Sequence, residues 1–128
     1  MNALRQLEKL TSLSVYDTQI TNKGIHDLVK LRSLNELNLS DTKHIDDAAL
    51  AELRSLNQLS VLQLNARKRI TDGLLRELSR LESLKELSLR GTEATPTGLG
   101  ELRNCKTLRV LRLSTTKNIR IPRGADDE

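Results

Sequence analysis

The chain has 128 residues, enough for one domain, with 37% hydrophobic residues, a charged fraction of 30% and a single aromatic, Tyr16. A core without Phe or Trp has to be assembled from Leu, Ile and Val, which suits thin repeated layers of equal-sized side chains and argues against a large irregular interior. The formal charge is +4; setting aside the acidic terminus Asp126, Asp127 and Glu128 leaves 21 basic against 14 acidic side chains, a body charge of +7 that would attract an acidic partner and does not by itself imply nucleic acid.

In chain order the predicted elements begin with Leu4 and Leu7, the end of a partial helix. Leu10, Leu13 and Val15 then give the spacing L-x-x-L-x-L, followed by Thr18, Ile20, Thr21, Gly24, Ile25, Leu28 and Leu31. The spacing returns at Leu34, Leu37 and Leu39, with Thr42, Ile45, Asp46, Ala49, Leu50, Leu53 and Leu56 behind it. It returns at Leu59, Leu62 and Leu64, followed by Ile70, Thr71, Leu74, Leu75, Leu78 and Leu81. A fourth copy has Leu84, Leu87 and Leu89, then Thr92, Ala94, Thr95, Gly98, Leu99, Leu102 and Cys105, and a fifth opens with Leu108, Leu111 and Leu113. Successive copies start 24, 25, 25 and 24 residues apart, the signature of a repeat array.

Within a unit, Leu37 and Leu39 alternate with Glu36, Asn38 and Ser40, the period of two expected of a strand with one buried face. The apolar spacing then widens to three or four residues, as in Leu50, Leu53 and Leu56, which is a helical face. Thr21, Asp46, Thr71 and Thr95 stand just ahead of that face as N-caps. Pro96 follows Thr95 at the first helical position, where its missing N–H is harmless.

These motifs resemble the leucine-rich-repeat family over about residues 4–119. The phrases Thr42-Lys43-His44-Ile45-Asp46-Asp47 and Arg67-Lys68-Arg69-Ile70-Thr71-Asp72-Gly73-Leu74 are similar to the cysteine-containing subclass found in F-box substrate adaptors and in some bacterial and protozoan proteins. The resemblance implies an α/β fold: a right-handed curved solenoid of about five strand–helix units over residues 1–119, with a parallel sheet on the concave side, and a polar tail over 120–128. It also implies partner binding by the concave face or one edge. The turn position that is Cys or Asn in the family is Thr at 18, 42, 92 and 116 and Arg at 67. A buried unpaired guanidinium is costly, so the expectation is a local adjustment with Ala66 inward and Arg67 outward. No polar caps are recognisable at either end, leaving three options: a fragment of a longer array, end-to-end self-association, or a tail folded over the last layer.

Catalytic signatures were not found: there is no H-E-x-x-H, C-x-x-C pair, G-x-S-x-G or phosphate loop. His26 falls on a helix and His44 on a turn of another unit, both reading as solvated surface. Asp46 and Asp47 read as helix-start residues. The expectation is no enzyme, no cofactor and no metal. Cys105, the single cysteine, reads as a small core residue and permits no intramolecular disulfide. With no signal-peptide pattern at the start, a reducing cytoplasmic or nuclear setting is the simplest reading. No apolar run approaches the roughly 20 residues of a membrane helix.

Residues between the leucines should form three rows on the concave surface: Ser12, Glu36, Val61, Glu86, Val110; Ser14, Asn38, Gln63, Ser88, Arg112; and Tyr16, Ser40, Asn65, Arg90, Ser114. Candidate partner-binding residues there are Tyr16, Glu36, Asn38, Gln63, Asn65, Arg90 and Arg112. Tyr16, Arg90 and Arg112 are the anchor types that interfaces favour. A second candidate surface is the basic turn edge, with Lys43, Arg67, Lys68, Arg69 and Lys117. The leading expectation is a protein-interaction module, with an acidic protein as partner and a regulatory or adaptor role. Nucleic-acid binding through the basic ridge and a purely structural segment of a longer array are the alternatives.

Overall fold

The computed structural model describes residues 7–67 and 70–113. The expectations about Leu4, Lys68, Arg69, Ser114, Thr116, Lys117 and the tail fall outside those residues. Each repeat contributes a three-residue strand: β1 (Ser12–Ser14), β2 (Glu36–Asn38), β3 (Val61–Gln63), β4 (Glu86–Ser88) and β5 (Val110–Arg112). They form one parallel sheet in chain order. Its register aligns Leu13, Leu37, Leu62, Leu87 and Leu111 in a single row. The chain is a leucine-rich-repeat solenoid.

The ladder extends beyond the strands at both ends. At the entrance one carbonyl accepts from two amides of the next unit: Asn35 O takes Ser60 N (2.8 Å) and Val61 N (3.0 Å), and Ser60 O takes Lys85 N (2.8 Å) and Glu86 N (2.9 Å). At the exit Leu39 N donates to Gln63 O, Leu64 N to Ser88 O and Leu89 N to Arg112 O, each at 2.9 Å. The polar backbone that three-residue strands leave over is thereby satisfied.

The helical side is built from α1 (Asn22–Leu28), α2 (Asp47–Leu50), α3 (Asp72–Leu78) and α4 (Pro96–Gly100). α2 runs into a 3₁₀ turn over Ala51–Ser55 and α4 into one over Glu101–Asn104. The expected N-caps stand in extended backbone. Asp46, Thr71 and Thr95 accept from Ala49 N (2.9 Å), Leu74 N (3.1 Å) and Gly98 N (3.0 Å). Thr21 makes no such bond. A second ladder links neighbouring helix starts. Asn22 Nδ2 donates to Asp46 Oδ2 (3.0 Å), Thr71 N to Asp47 Oδ2 (3.3 Å) and Thr95 Oγ1 to Asp72 Oδ1 (2.8 Å). Pro96, the first residue of α4, has no polar side chain to extend it. Gly98 is needed where α4 meets α3, because a Cβ there would collide with Asp72 Oδ1 and Leu75 Cδ1.

Strands lie about 4.8 Å apart while helices pack at about 8–10 Å, so a stack of such units bends with its sheet on the inner side. The core between the layers is one cluster of aliphatic side chains, with Leu37, Leu62 and Leu87 each at most 1% exposed. Cys105 belongs to it as expected: it is buried, with Sγ 3.9 Å from Leu81 O and Leu84 O. No described helix is long and apolar enough to cross a membrane.

After each of the first four strands one residue turns left-handed: Asp17 (φ 54), Asp41 (φ 54), Ala66 (φ 63) and Gly91 (φ 74). Ala has neither glycine's freedom nor aspartate's local hydrogen bonding in that region. Ala66→Gly is therefore expected to stabilise by about 0.5–1 kcal/mol and Gly91→Ala to destabilise by about 1 kcal/mol. Leu87→Ala should cost about 2–5 kcal/mol. Urea denaturation of the three variants checks all of these; a neutral Leu87→Ala would mean that its layer is not packed.

Candidate binding surface

The in-register sheet lines up the outward residues of the first two rows: Ser12, Glu36, Val61, Glu86 and Val110 in one, Ser14, Asn38, Gln63, Ser88 and Arg112 in the other. They differ in how much they leave for a partner. Asn38 Oδ1 accepts from Ser40 N (2.9 Å). Asn65 Oδ1 accepts from both Ser88 Oγ (2.6 Å) and Arg90 N (2.9 Å), while Ser40 Oγ accepts from Asn65 N (3.0 Å). The carbonyls of both Asn side chains are thus committed to shaping the strand exits, and Ser40 and Ser88 are buried. Only the Asn amide groups remain to donate outward.

Gln63, at the centre of the face, makes no side-chain hydrogen bond to a described residue. Tyr16 is 61% exposed at the β1 end, and Arg90 is exposed above β4. Glu36 accepts a long bond from Ser12 Oγ (3.4 Å). Arg112 Nε donates to Glu86 Oε2 at 2.8 Å, an exposed pair of the kind worth little and readily exchanged.

The turn edge departs from expectation. Ala66 is exposed and it is Arg67 that turns inward, its side chain only 9% exposed. The guanidinium donates to Thr42 O (3.1 Å) and Ile45 O (2.9 Å) and meets Asp47 Oδ1 at 3.3 Å, leaving Nε without a partner. At the equivalent positions Thr18, Thr42 and Thr92 donate to the carbonyls of Val15 (2.7 Å), Leu39 (2.7 Å) and Leu89 (2.8 Å). Arg67 replaces that local bond with a tie to the preceding unit, so pairing offsets the burial cost that would have driven it outward. It lines a cleft with Asp41, Asp46, Asp47 and Thr71. Of the basic-edge candidates, Lys43 is exposed, Arg67 is not, and Lys68, Arg69 and Lys117 lie outside the described residues.

On the helical face three side-chain pairs link neighbouring units among the described residues: Arg54 with Glu77 (3.0 Å), Arg76 with Glu101 (3.5 Å) and His26 with Glu52 (3.1 Å). His44 is exposed. Among the described residues no group of three or more His, Cys, Asp or Glu side chains is placed to hold a metal.

Sequence reasoning missed Lys85 and Arg109. They continue the entrance row Thr11, Asn35, Ser60, one residue ahead of the first outward row, and both are exposed. The signal was present in the 24- and 25-residue spacing of that row.

No protein-family model matches the chain, and no curated protein matches it. Its structure is similar to that of internalin C2 from Listeria monocytogenes, with a TM-score of 0.56 and 21% identity over 89% of this chain. The chain spans 56% of the length of that protein's structure. An internalin F structure from the same bacterium aligns over 89% of the chain and 46% of its own length, at 16% identity and a TM-score of 0.47.

Two outcomes follow at the turn edge. Arg67→Ala, which removes the partner of Asp47 Oδ1 and of two carbonyls, should cost about 1–3 kcal/mol, whereas exposed Lys43→Ala should stay within about 0.5 kcal/mol; denaturant titration compares them. Asp46 has its carboxyl held below the usual carboxylate range, first by the Ala49 amide and then by the Asn22 side chain. A lowered folded value means stabilisation that is full above the unfolded carboxyl range and is lost as pH falls through the folded value. Asp46→Asn keeps a capping side chain without that titration. The denaturation midpoint should then fall less between about pH 6 and about pH 3 than in the parent; an equal fall would exclude Asp46 as a contributor.

Proposed function

We propose that the chain is a protein-interaction module, a regulatory or adaptor element that binds its partner on the concave face of the sheet. The observation that carries this reading is the alignment of outward side chains in register across five strands. At their centre stands Gln63, without a side-chain hydrogen bond to a described residue, while on the helical face Arg54, Arg76 and His26 are each tied to a glutamate of the next unit. A surface whose backbone is fixed by the ladder beneath it loses little backbone entropy on binding.

Size shapes what can bind. Five strands at about 4.8 Å spacing and five to six residues at about 3.3 Å give a projected face of roughly 400–480 Å². A stable interface between globular proteins uses about 800 Å² per partner. The face alone therefore suits an extended segment, and a larger partner must also use the turn edge or neighbouring surface. Nucleic-acid binding through the turn edge is the weaker reading, since Arg67 is withdrawn from it and bonded internally.

Affinity capture from an extract of the organism that makes the chain tests the reading. Ser14→Trp and Gln63→Trp, which obstruct the face, should abolish retention of the captured protein. Arg54→Ser and Arg76→Ser on the helical side should leave it unchanged. Loss with the helical-face pair and retention with the tryptophan pair would refute concave binding.

A further inference from the structure

Resting on that reading and deepening it, we infer that the β4–β5 end of the concave face receives an extended acidic segment of the partner protein. The face is electrically polarised along the stack. From entrance row to turn, residues 11–17 and 35–41 carry three charged side chains, Asp17, Glu36 and Asp41, all acidic. Residues 60–66 carry none. Residues 85–91 and 109–113 carry Lys85, Arg90, Arg109 and Arg112 against Glu86 alone, four positive charges to one negative. The register places these segments side by side, so the face runs from acidic to basic across about 19 Å.

Among the described residues the basic end is open. Lys85, Arg90 and Arg109 are exposed and have no ion pair with a described residue, and the one pair at this end is the exposed Arg112–Glu86 contact. A partner carboxylate can take Glu86's place on Arg112 or sit on the remaining three cations. Along the strand direction Lys85 and Arg90 are five residues apart, about 16 Å, a span bracketed by carboxylates four and six residues apart, which share one face of an extended segment. Val110, which the register sets beside Glu86, is 37% exposed and offers an apolar contact for one side chain of the segment.

The same observations favour a protein over a nucleic acid. The one aromatic available for base stacking, Tyr16, stands at the opposite, acidic end, whereas single-strand binders interleave stacking rings with their cations.

The test is fluorescence anisotropy with a labelled oligo-glutamate peptide and, in parallel, a thymidine oligonucleotide of equal charge. The variants are Arg90→Glu with Arg109→Glu, and as a control of equal charge change on the helical side Lys23→Glu with Arg103→Glu. Lys85→Gln with Arg90→Gln serves if the reversal does not fold. Oligo-glutamate should bind at low salt, weaken as salt rises, and lose about tenfold or more in affinity in the reversed variant while the control changes less than about threefold. Equal weakening in both variants, no binding at low salt, or tighter binding of the oligonucleotide would overturn the inference. If oligo-glutamate fails while the Ser14→Trp and Gln63→Trp variants still abolish capture of a natural partner, the acidic-segment inference falls and concave binding stands.

Discussion

A unit of 24 or 25 residues cannot bury its own leucines. Its strand is three residues long and its longest described helix seven, too little of either to be stable alone. Leu62 is fully buried because Leu37 and Leu87 lie in register on either side of it. Stacking in register is therefore the constraint on which everything else rests, since a slip by one residue would send the leucines to the outer face and the polar residues into the core. The bonds that enforce it are distributed: forked carbonyls at the strand entrances, single bonds at the exits, and side-chain links such as Asn22 to Asp46 at the helix starts.

The same constraint governs the surface. Because the backbone ladder sets the spacing of every row, the charge pattern of the concave face is a direct transcription of residue type at equivalent positions. Thr11, Asn35, Ser60, Lys85 and Arg109 show how a single row can change from neutral to basic without any change of backbone. An interaction surface can in this way be varied unit by unit while the core stays leucine.

Much of this was legible in the sequence. The period of two and then three to four placed the strands and helical faces correctly, and Asp46, Thr71 and Thr95 cap as their side-chain chemistry requires. The spacing alone also gave the two complete concave rows. Arg67 was not legible: burial cost argued for an outward guanidinium, but the carbonyls of Thr42 and Ile45 that satisfy it lie 25 and 22 residues back and meet it only once the units are stacked. For the same reason Asn65, read from the sequence as a candidate partner-binding residue, and Ser88, read as a member of an outward row, give no sign in a linear reading of the hydrogen bond that joins them across 23 residues. The 3₁₀ endings after α2 and α4 were missed because apolar spacing does not separate them from α-helix over one turn.

The most direct measurement is a solution NMR map of through-space proton contacts between strands. The account predicts contacts of Leu37 with Leu62, Leu62 with Leu87 and Leu87 with Leu111, and none between β1 and β5. Helical chemical shifts at those leucines, or contacts joining them in any other order, would contradict it.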